Sequence, residues 1–423
     1  MALDTFVEGA SSEELETSLR YLVPQTSSAI VSSRAATIFS AGGDSYSPDQ
    51  GVRAITFRVQ GSGGAAGGEY LDLESLFFKA NYQNTTTSDL NFHGPAWCAF
   101  SRVTVRLSST VVEDVQHFGR LYSMLHALSP AEEKKNSKIS AGDATTTLAG
   151  QYGSGVFGFD LTPLALCRSG VMLPLSLAPL EITMELVPQS AMFADQTWLL
   201  QDCQLLCTIK VVDQEVSSKI HAHTVGHGLS LPIVLPGCYF CTDQVSSENA
   251  TIHLSKSVSR ATALFCTYYA EHATHPSYEV VDFIRPQQTS GTWELLLNSR
   301  RYPDRALAWN DSPTLWHNLR ECMGRGPLNI SHDSFTVQTE PTTAAERVDA
   351  KNFIIGIDLT KSPTDGVAGG ETSFTGEHMR TSLATIQQKD CKMPTGFTGA
   401  RMFLVLRYDA IVEVSAGGVD LLT

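Results

Sequence analysis

Along much of this chain apolar and polar residues alternate one for one, the spacing that sends successive side chains to opposite faces of a strand. Residues 52–59 (VRAITFRV) alternate throughout, and 71–79 (LDLESLFFK) do so less strictly toward their end. Residues 100–107 (FSRVTVRL) send Val103, Val105 and Leu107 one way and Arg102 and Arg106 the other. Further strands are expected over 156–159, 180–186, 203–211, 262–269, 293–297, 353–359 and 402–414. Clusters of Gly, Pro, Asn and Ser separate them, the punctuation of barrels and sandwiches.

Two segments follow the helical period instead. Within 114–128, Val115, Phe118, Tyr122 and Leu125 recur at three- and four-residue steps and give one apolar face, with Asp114 as the expected N-cap. Ser312-Pro313 offers a cap and a proline at the first helical position, followed by Leu315, Trp316 and Leu319. A short third helix is expected from Ser129-Pro130, with Glu132 completing a capping box. Each long helix falls between blocks of strands, one in each half, so the halves share an architecture without sharing a sequence. The polar stretch 212–219 (VDQEVSSK), which follows a long strand, is the expected boundary. The division is an N-terminal arm over 1–30 with a helix at 11–22, a first domain over 31–213 and a second over 214–423. Exposed loops are expected at 136–155 and 362–376.

Length agrees with that division, since 423 residues suit two domains of about 200 each. With 42% hydrophobic and 17% charged residues the chain can fill two cores. It also keeps a surface that a neighbour can desolvate more cheaply than one covered in ions. A net charge of −14 argues against direct wrapping of nucleic acid, which needs Lys/Arg stripes. No basic run exceeds Lys134-Lys135 or Arg300-Arg301. The nine cysteines, an odd number with mostly apolar neighbours, read as reduced and buried thiols. Residues 1–16 contain no apolar core of a leader peptide, so folding in cytosol or nucleus is expected, with the sequons at Asn84, Asn249, Asn310 and Asn329 unmodified. The longest apolar stretch, 171–187, is broken by Pro174, Pro179, Glu181 and Glu185 and is no membrane span.

No motif assembles a catalytic or metal site. The glycine run at 61–68 follows a strand but leads into Glu69-Tyr70 and another strand; a phosphate loop would end in Gly-Lys-Ser/Thr and open a helix, so a flexible hairpin connection is expected. Cys238 and Cys241 have the spacing of half a zinc site with no second pair, and His221, His223 and His227 match no metal pattern. They read as apolar thiols in a strand and solvated linker histidines. Gly153-Ser154-Gly155 lacks the spacing of a nucleophile elbow, and Glu113-Asp114 at a strand end have no catalytic context. Ala-Gly-Gly at residues 41, 66, 368 and 416 resembles processing sites of viral maturation proteases, although turn glycines explain it more simply. The expectation is a non-enzyme with no metal and no cofactor.

Several blocks, in order, resemble the major capsid proteins of polinton-like viruses, adintoviruses and related eukaryotic DNA viruses. They are Tyr70-Leu71-Asp72-Leu73-Glu74-Ser75 with Phe77-Phe78-Lys79, Phe100-Ser101-Arg102-Val103, Glu113-Asp114-Val115 before Phe118-Gly119-Arg120-Leu121, and Leu173-Pro174-Leu175. In the second half they are Asn298-Ser299-Arg300-Arg301-Tyr302-Pro303, Phe353-Ile354-Ile355-Gly356-Ile357-Asp358-Leu359, Tyr408-Asp409-Ala410-Ile411 and Gly418-Val419-Asp420-Leu421. The resemblance implies an all-β fold of two consecutive eight-stranded jelly-roll barrels with short helical insertions. It further implies a pseudo-hexameric homotrimer that tiles an icosahedral virion shell beside penton and minor capsid proteins. Tyr302, Pro303, Trp309 and Trp316, on a connection thought to be exposed, are the candidate subunit contacts. The alternative is a viral fibre-head or lectin-like, carbohydrate-binding β-sandwich.

Overall fold

In a computed structural model of the chain the described residues are 30–48, 53–61, 68–85, 90–91, 95–130, 147–148, 154–188, 198–269, 282–287, 289–297, 300–323, 330, 335, 352–360, 376–380, 384–393 and 400–423. The N-terminal arm up to residue 29 with its expected helix, the capping-box Glu132, and most of the 136–155 and 362–376 segments lie outside them. The first half contributes β1 (Ile30–Phe39), β2 (Ser45–Tyr46), β3 (Ala54–Val59), β4 (Glu69–Asn84), β5 (Leu90–Asn91), β6 (Phe100–Leu107) and β7 (Thr110–Gln116). After helix α1 (Phe118–Leu128) come β8 (Thr147–Leu148), β9 (Ser154–Asp160), β10 (Met172–Pro174), β11 (Leu180–Leu186) and β12 (Trp198–Val212). Helix α2 (Gln214–His221) leads to β13 (Leu231–Val245), β14 (Ala250–Leu254), β15 (Ala261–Tyr269), β16 (Thr292–Leu297) and β17 (Arg300–Ala308). Helix α3 (Ser312–Cys322), β18 (Ile355–Asp358), β19 (Ala384–Lys389), β20 (Arg401–Ser415) and β21 (Gly418–Leu422) complete the chain.

Pairing sorts these strands into two copies of one plan. In the first half β1, β12, β4 and β9 form one antiparallel sheet, with β2 and β10 at its margins, and β3, β11, β6 and β7 form the other. Counting the eight principal strands in chain order, the sheets run 1-8-3-6 and 2-7-4-5. The second half repeats this, with β13-β20-β15-β18 facing β14-β19-β16-β17. Each half is therefore a jelly roll, and in each the helix follows the fifth strand. Strand pairing closes within 30–212 and within 231–422.

The cores follow from the alternation. β11 buries Leu180, Ile182, Met184 and Leu186 and leaves the residues between them half-exposed. Phe78 on β4 meets Phe100 edge-on at 5.1 Å, Phe57 at 6.0 Å and Phe159 at 5.3 Å. Each such buried ring contributes about 1.5–3 kcal/mol by leaving water. The second core gathers Trp293, Tyr268, Leu404, Leu406 and Ile386. β20 is buried on both faces from Met402 to Leu406. A strand at the centre of a sheet that is itself covered from outside has this pattern.

Several local expectations change. Strand β7 runs to Gln116, so α1 begins at Phe118 and not at Asp114. Its N-cap position is His117, in the left-handed region at φ 54°, with no side-chain cap. Asp114 stays in the strand and accepts both arms of the Arg102 guanidinium at 2.6 and 2.8 Å. Helix α3 is capped one residue earlier than expected, because Asp311 accepts from the Thr314 N–H at 3.2 Å and Ser312 is the first helical residue. The polar boundary segment is the helix α2. The glycine run does not close a hairpin, because β3 and β4 on either side of it belong to different sheets. No helix among the described residues is long and apolar enough to cross a membrane.

Candidate assembly surfaces and the joint between the barrels

β7 and the turn at 163–169 of the first barrel lie against β13 of the second. β13 carries a bulge between Leu235 and Cys238, and Gly237 within it has φ 70°. That region favours glycine, and a β-carbon there would sit 2.6 Å from Nε of Arg407. The Gly237 N–H donates to Asp409 Oδ1 at 2.8 Å, while its carbonyl accepts Nη2 of Arg168 from the first barrel at 2.6 Å. Nη1 of Arg168 donates to the Tyr239 hydroxyl at 3.2 Å. A bulge in one barrel thus offers a carbonyl to a cation from the other.

Arg168 is aimed by a buried carboxylate. Glu113 on β7 is 4% exposed and accepts the N–H groups of Ala165 at 2.8 Å and Leu166 at 2.9 Å. These bonds hold the turn that projects Arg168. Burial pushes the Glu113 carboxyl above its ordinary range, against the opposing pull of the two N–H groups and the Arg168 charge.

A second contact comes from the first turn of α1. The Arg120 guanidinium lies 3.2 Å from the centre of the Tyr269 ring and 5.9 Å from that of Phe403, both on the outer face of the second barrel. His117 meets Phe403 edge-on at 6.0 Å and stands 3.9 Å from Asp243. Asp243 accepts from the Tyr269 hydroxyl at 2.6 Å and from Arg401 at 3.1 Å. Burial lowers the pKa of both Arg120 and His117. For Asp243 burial acts upward, but the Tyr269 and Arg401 hydrogen bonds outweigh it and hold the carboxyl low. Burial raises Tyr269 to about 12. A third contact joins the Thr110 hydroxyl to the Val419 carbonyl in the C-terminal hairpin at 2.8 Å. Such directional, charge-assisted bonds fix the angle between two barrels more tightly than apolar contact would, since sliding leaves buried charge unpaired.

The four sequence candidates do not share one surface. Tyr302 and Pro303 lie on the edge strand β17, half-buried, and not in a loop. The Tyr302 hydroxyl donates to Glu377 at 2.8 Å and Arg300 covers its ring at 5.0 Å. Trp316 is half-buried on α3 against Phe335, 5.2 Å away. Trp309 is no surface anchor: it is 1% exposed in the core of its own barrel, edge-on to Tyr268 at 6.0 Å. Its indole N–H donates to the Lys389 carbonyl at 3.2 Å. The turn after β17 folds inward and buries this ring, and Arg285 (1% exposed) secures it by donating to the Trp309 carbonyl at 2.9 Å and to Ser312 Oγ at 2.8 Å.

All nine cysteines are free and buried. Cys238 and Cys241 stand three residues apart on an unbroken stretch of strand and so project to opposite faces. Among the described residues no group of three or more His, Cys, Asp or Glu side chains could hold a metal.

Two barrels of identical strand order, side by side and locked by a buried polar joint, define a double jelly roll, the fold of viral major capsid proteins. Among the solved structures it is similar to are the capsid of the virus PBCV-1 (TM-score 0.62, 10% identity, covering 93% of this chain and 96% of that one) and the Sputnik virophage (TM-score 0.57, 10% identity, 96% and 92%). The major capsid protein of mavirus is another, with TM-score 0.50, 11% identity and coverage of 98% and 94%. The likeness is one of fold, and it spans both barrels. No family model matches the sequence, and no curated protein does.

Proposed function

We propose that this chain is a major capsid protein, a structural subunit without catalytic activity that assembles as a homotrimer and tiles an icosahedral virion shell. The observation that carries the reading is the joint. Arg168, Glu113, Arg120 and Asp243 set two barrels of one topology at a fixed relation, and three such chains would present six barrels in a near-hexagonal block. Nearly whole-chain likeness to the PBCV-1, Sputnik and mavirus capsid structures supports it. The order of the sequence blocks supports a place among the polinton-like and adintovirus relatives. Neighbouring capsomers, penton and minor capsid proteins are the partners this role requires, and the virion is its location. Light scattering and electron microscopy of the purified chain test the proposal. Trimers or shells are expected, whereas monomers that bind glycans would replace it with the fibre-head alternative.

A further inference from the structure

The contacts between the two barrels differ in how they answer to pH. Arg168 donates to a backbone carbonyl and a tyrosine hydroxyl, and Thr110 donates to a carbonyl, none of which gains a proton in mild acid. Burial raises the folded-state pKa of Glu113, so the fold binds that proton more readily than the unfolded chain, and its contribution persists in acid. The contact made by the first turn of α1 is different, because it contains a histidine. His117 is where β7 hands over to α1. Its carbonyl accepts the N–H groups of Arg120 and Leu121, each at 3.0 Å, which ties it to the turn that carries the Arg120 guanidinium.

Charge around the His117 ring is already unbalanced. Arg120 of α1 and Arg401 of β20 bring two cations, and Asp243 of β13 brings the one carboxylate. Tyr269 of β15 and Cys98 of the turn at 96–99 add a hydroxyl and a thiol. Asp243 is occupied: it accepts the Tyr269 hydroxyl at 2.6 Å and two Arg401 nitrogens, each at 3.1 Å, while His117 Nε2 stands 3.9 Å away. A proton on His117 would set three cations against one carboxylate. Burial lowers the pKa of this ring, and the pull of Asp243 does not offset burial and the two arginines. The closed joint therefore resists a proton that an open one accepts below about pH 6.5.

We infer that mild acid opens the joint at this contact alone: protonated His117 lifts the first turn of α1 from Tyr269 and Phe403, while Arg168 and Thr110 keep their acceptors and the barrels pivot about Arg168. A reporter is built in. Tyr239, held by Arg168, and Asp243, beside His117, lie on one face of β13, and alternation puts Cys241 between them on that face, 2% exposed. Opening uncovers it. The joint lies within one chain and opens in a monomer as in a trimer. In a shell of the kind proposed above, the angle between barrels would be fixed at neutral pH and released in an acidified compartment.

Labelling of the full chain with a dithiodipyridine, which reacts with thiols in acid as well as at neutrality, reads the opening, and peptide mass spectrometry identifies the cysteine. Relative to free cysteine at the same pH, Cys241 should react up to about tenfold faster at about pH 5.5 than at about pH 7.5, the most that one proton gives across that window. Cys266, in the core of the second barrel, should stay unreactive. His117→Asn, which tolerates the left-handed backbone, should abolish the rise. In the wild type the midpoint should fall between about pH 5 and 6.5, and one below about pH 4.5 would point to a carboxylate and overturn the assignment to His117. A Cys241 rate that changes less than about twofold overturns the opening itself. An equal rise in the asparagine variant removes His117 as the trigger. Cys266 reacting in step with Cys241 shows general unfolding and overturns a release confined to the joint.

Discussion

Replacing Glu113 probes the joint at the group that aims it. Its two carboxylate oxygens receive the N–H groups of Ala165 and Leu166 at 2.8 and 2.9 Å, out of reach of water. Alanine leaves both donors without a partner, at about 1–3 kcal/mol for each, so Glu113→Ala should cost about 2–6 kcal/mol. Glutamine keeps one acceptor oxygen and presents an NH2 group to the other N–H, so Glu113→Gln should cost about half as much. In a domain of this size 1 kcal/mol shifts the melting point by roughly 2–4 °C, which predicts a fall of roughly 5–20 °C for the alanine variant. Calorimetry reads the melting point, and hydrogen exchange reads the Ala165 and Leu166 amides directly. The turn also carries Arg168, so protection of Gly237 and Tyr239 across the joint should drop as well. An alanine variant that melts within about 2 °C of wild type, with those amides still protected, would refute the role given to Glu113.

Trp309→Ala should destabilise the second barrel by about 3–5 kcal/mol, seen as a lower denaturant midpoint; normal stability with a weakened trimer would return this residue to the interface. His117 has its folded-state pKa lowered by burial, so the folded chain binds its proton at lower pH than the unfolded chain. The stability it contributes is whole above about pH 6.5 and is lost as pH falls below that value toward its folded pKa. His117→Asn, which tolerates the left-handed backbone, should therefore show a smaller drop in melting point between about pH 7.5 and 5.5, and an equal drop would exclude the histidine. Deleting residues 401–423 removes β20, which is hydrogen-bonded to β13 on one side and β15 on the other. The product should be insoluble, and a soluble, equally stable trimer would show the segment to be dispensable.

What could be read in advance was whatever depends on near neighbours. Strands such as Phe100–Leu107 and Leu180–Leu186 declare themselves because one face meets the core and the other meets water. The shape-setting order of strands came through family resemblance, since pairs such as Ile38 with Leu205 lie too far apart for periodicity to reveal. The last residues of β7, Asp114 to Gln116, were hidden because Val115 also fits the helical spacing that continues into α1. β17 was hidden because its composition, RRYPDRALA, reads as a loop, although a proline is tolerable in a strand at a sheet edge. The joint left no local mark at all. Arg120 within FGRLY looks like an ordinary surface charge, and only the tertiary approach of Tyr269 makes it an inside residue. Trp309 failed in the opposite sense, because polar neighbours suggested exposure while the turn folded its ring beneath β19.

The buried thiols have a consequence for durability. Burial raises the pKa of Cys167, Cys203, Cys207, Cys238, Cys241, Cys266, Cys322 and Cys391, to about 12 for Cys203 and Cys391, and oxidants act on the thiolate at an accessible sulfur. A chain so built keeps one covalent form on either side of a cell boundary. Once folded, it gains no crosslinks from dissolved oxygen. Whatever it assembles into should come apart under the same forces in aerated water as in a reducing cell.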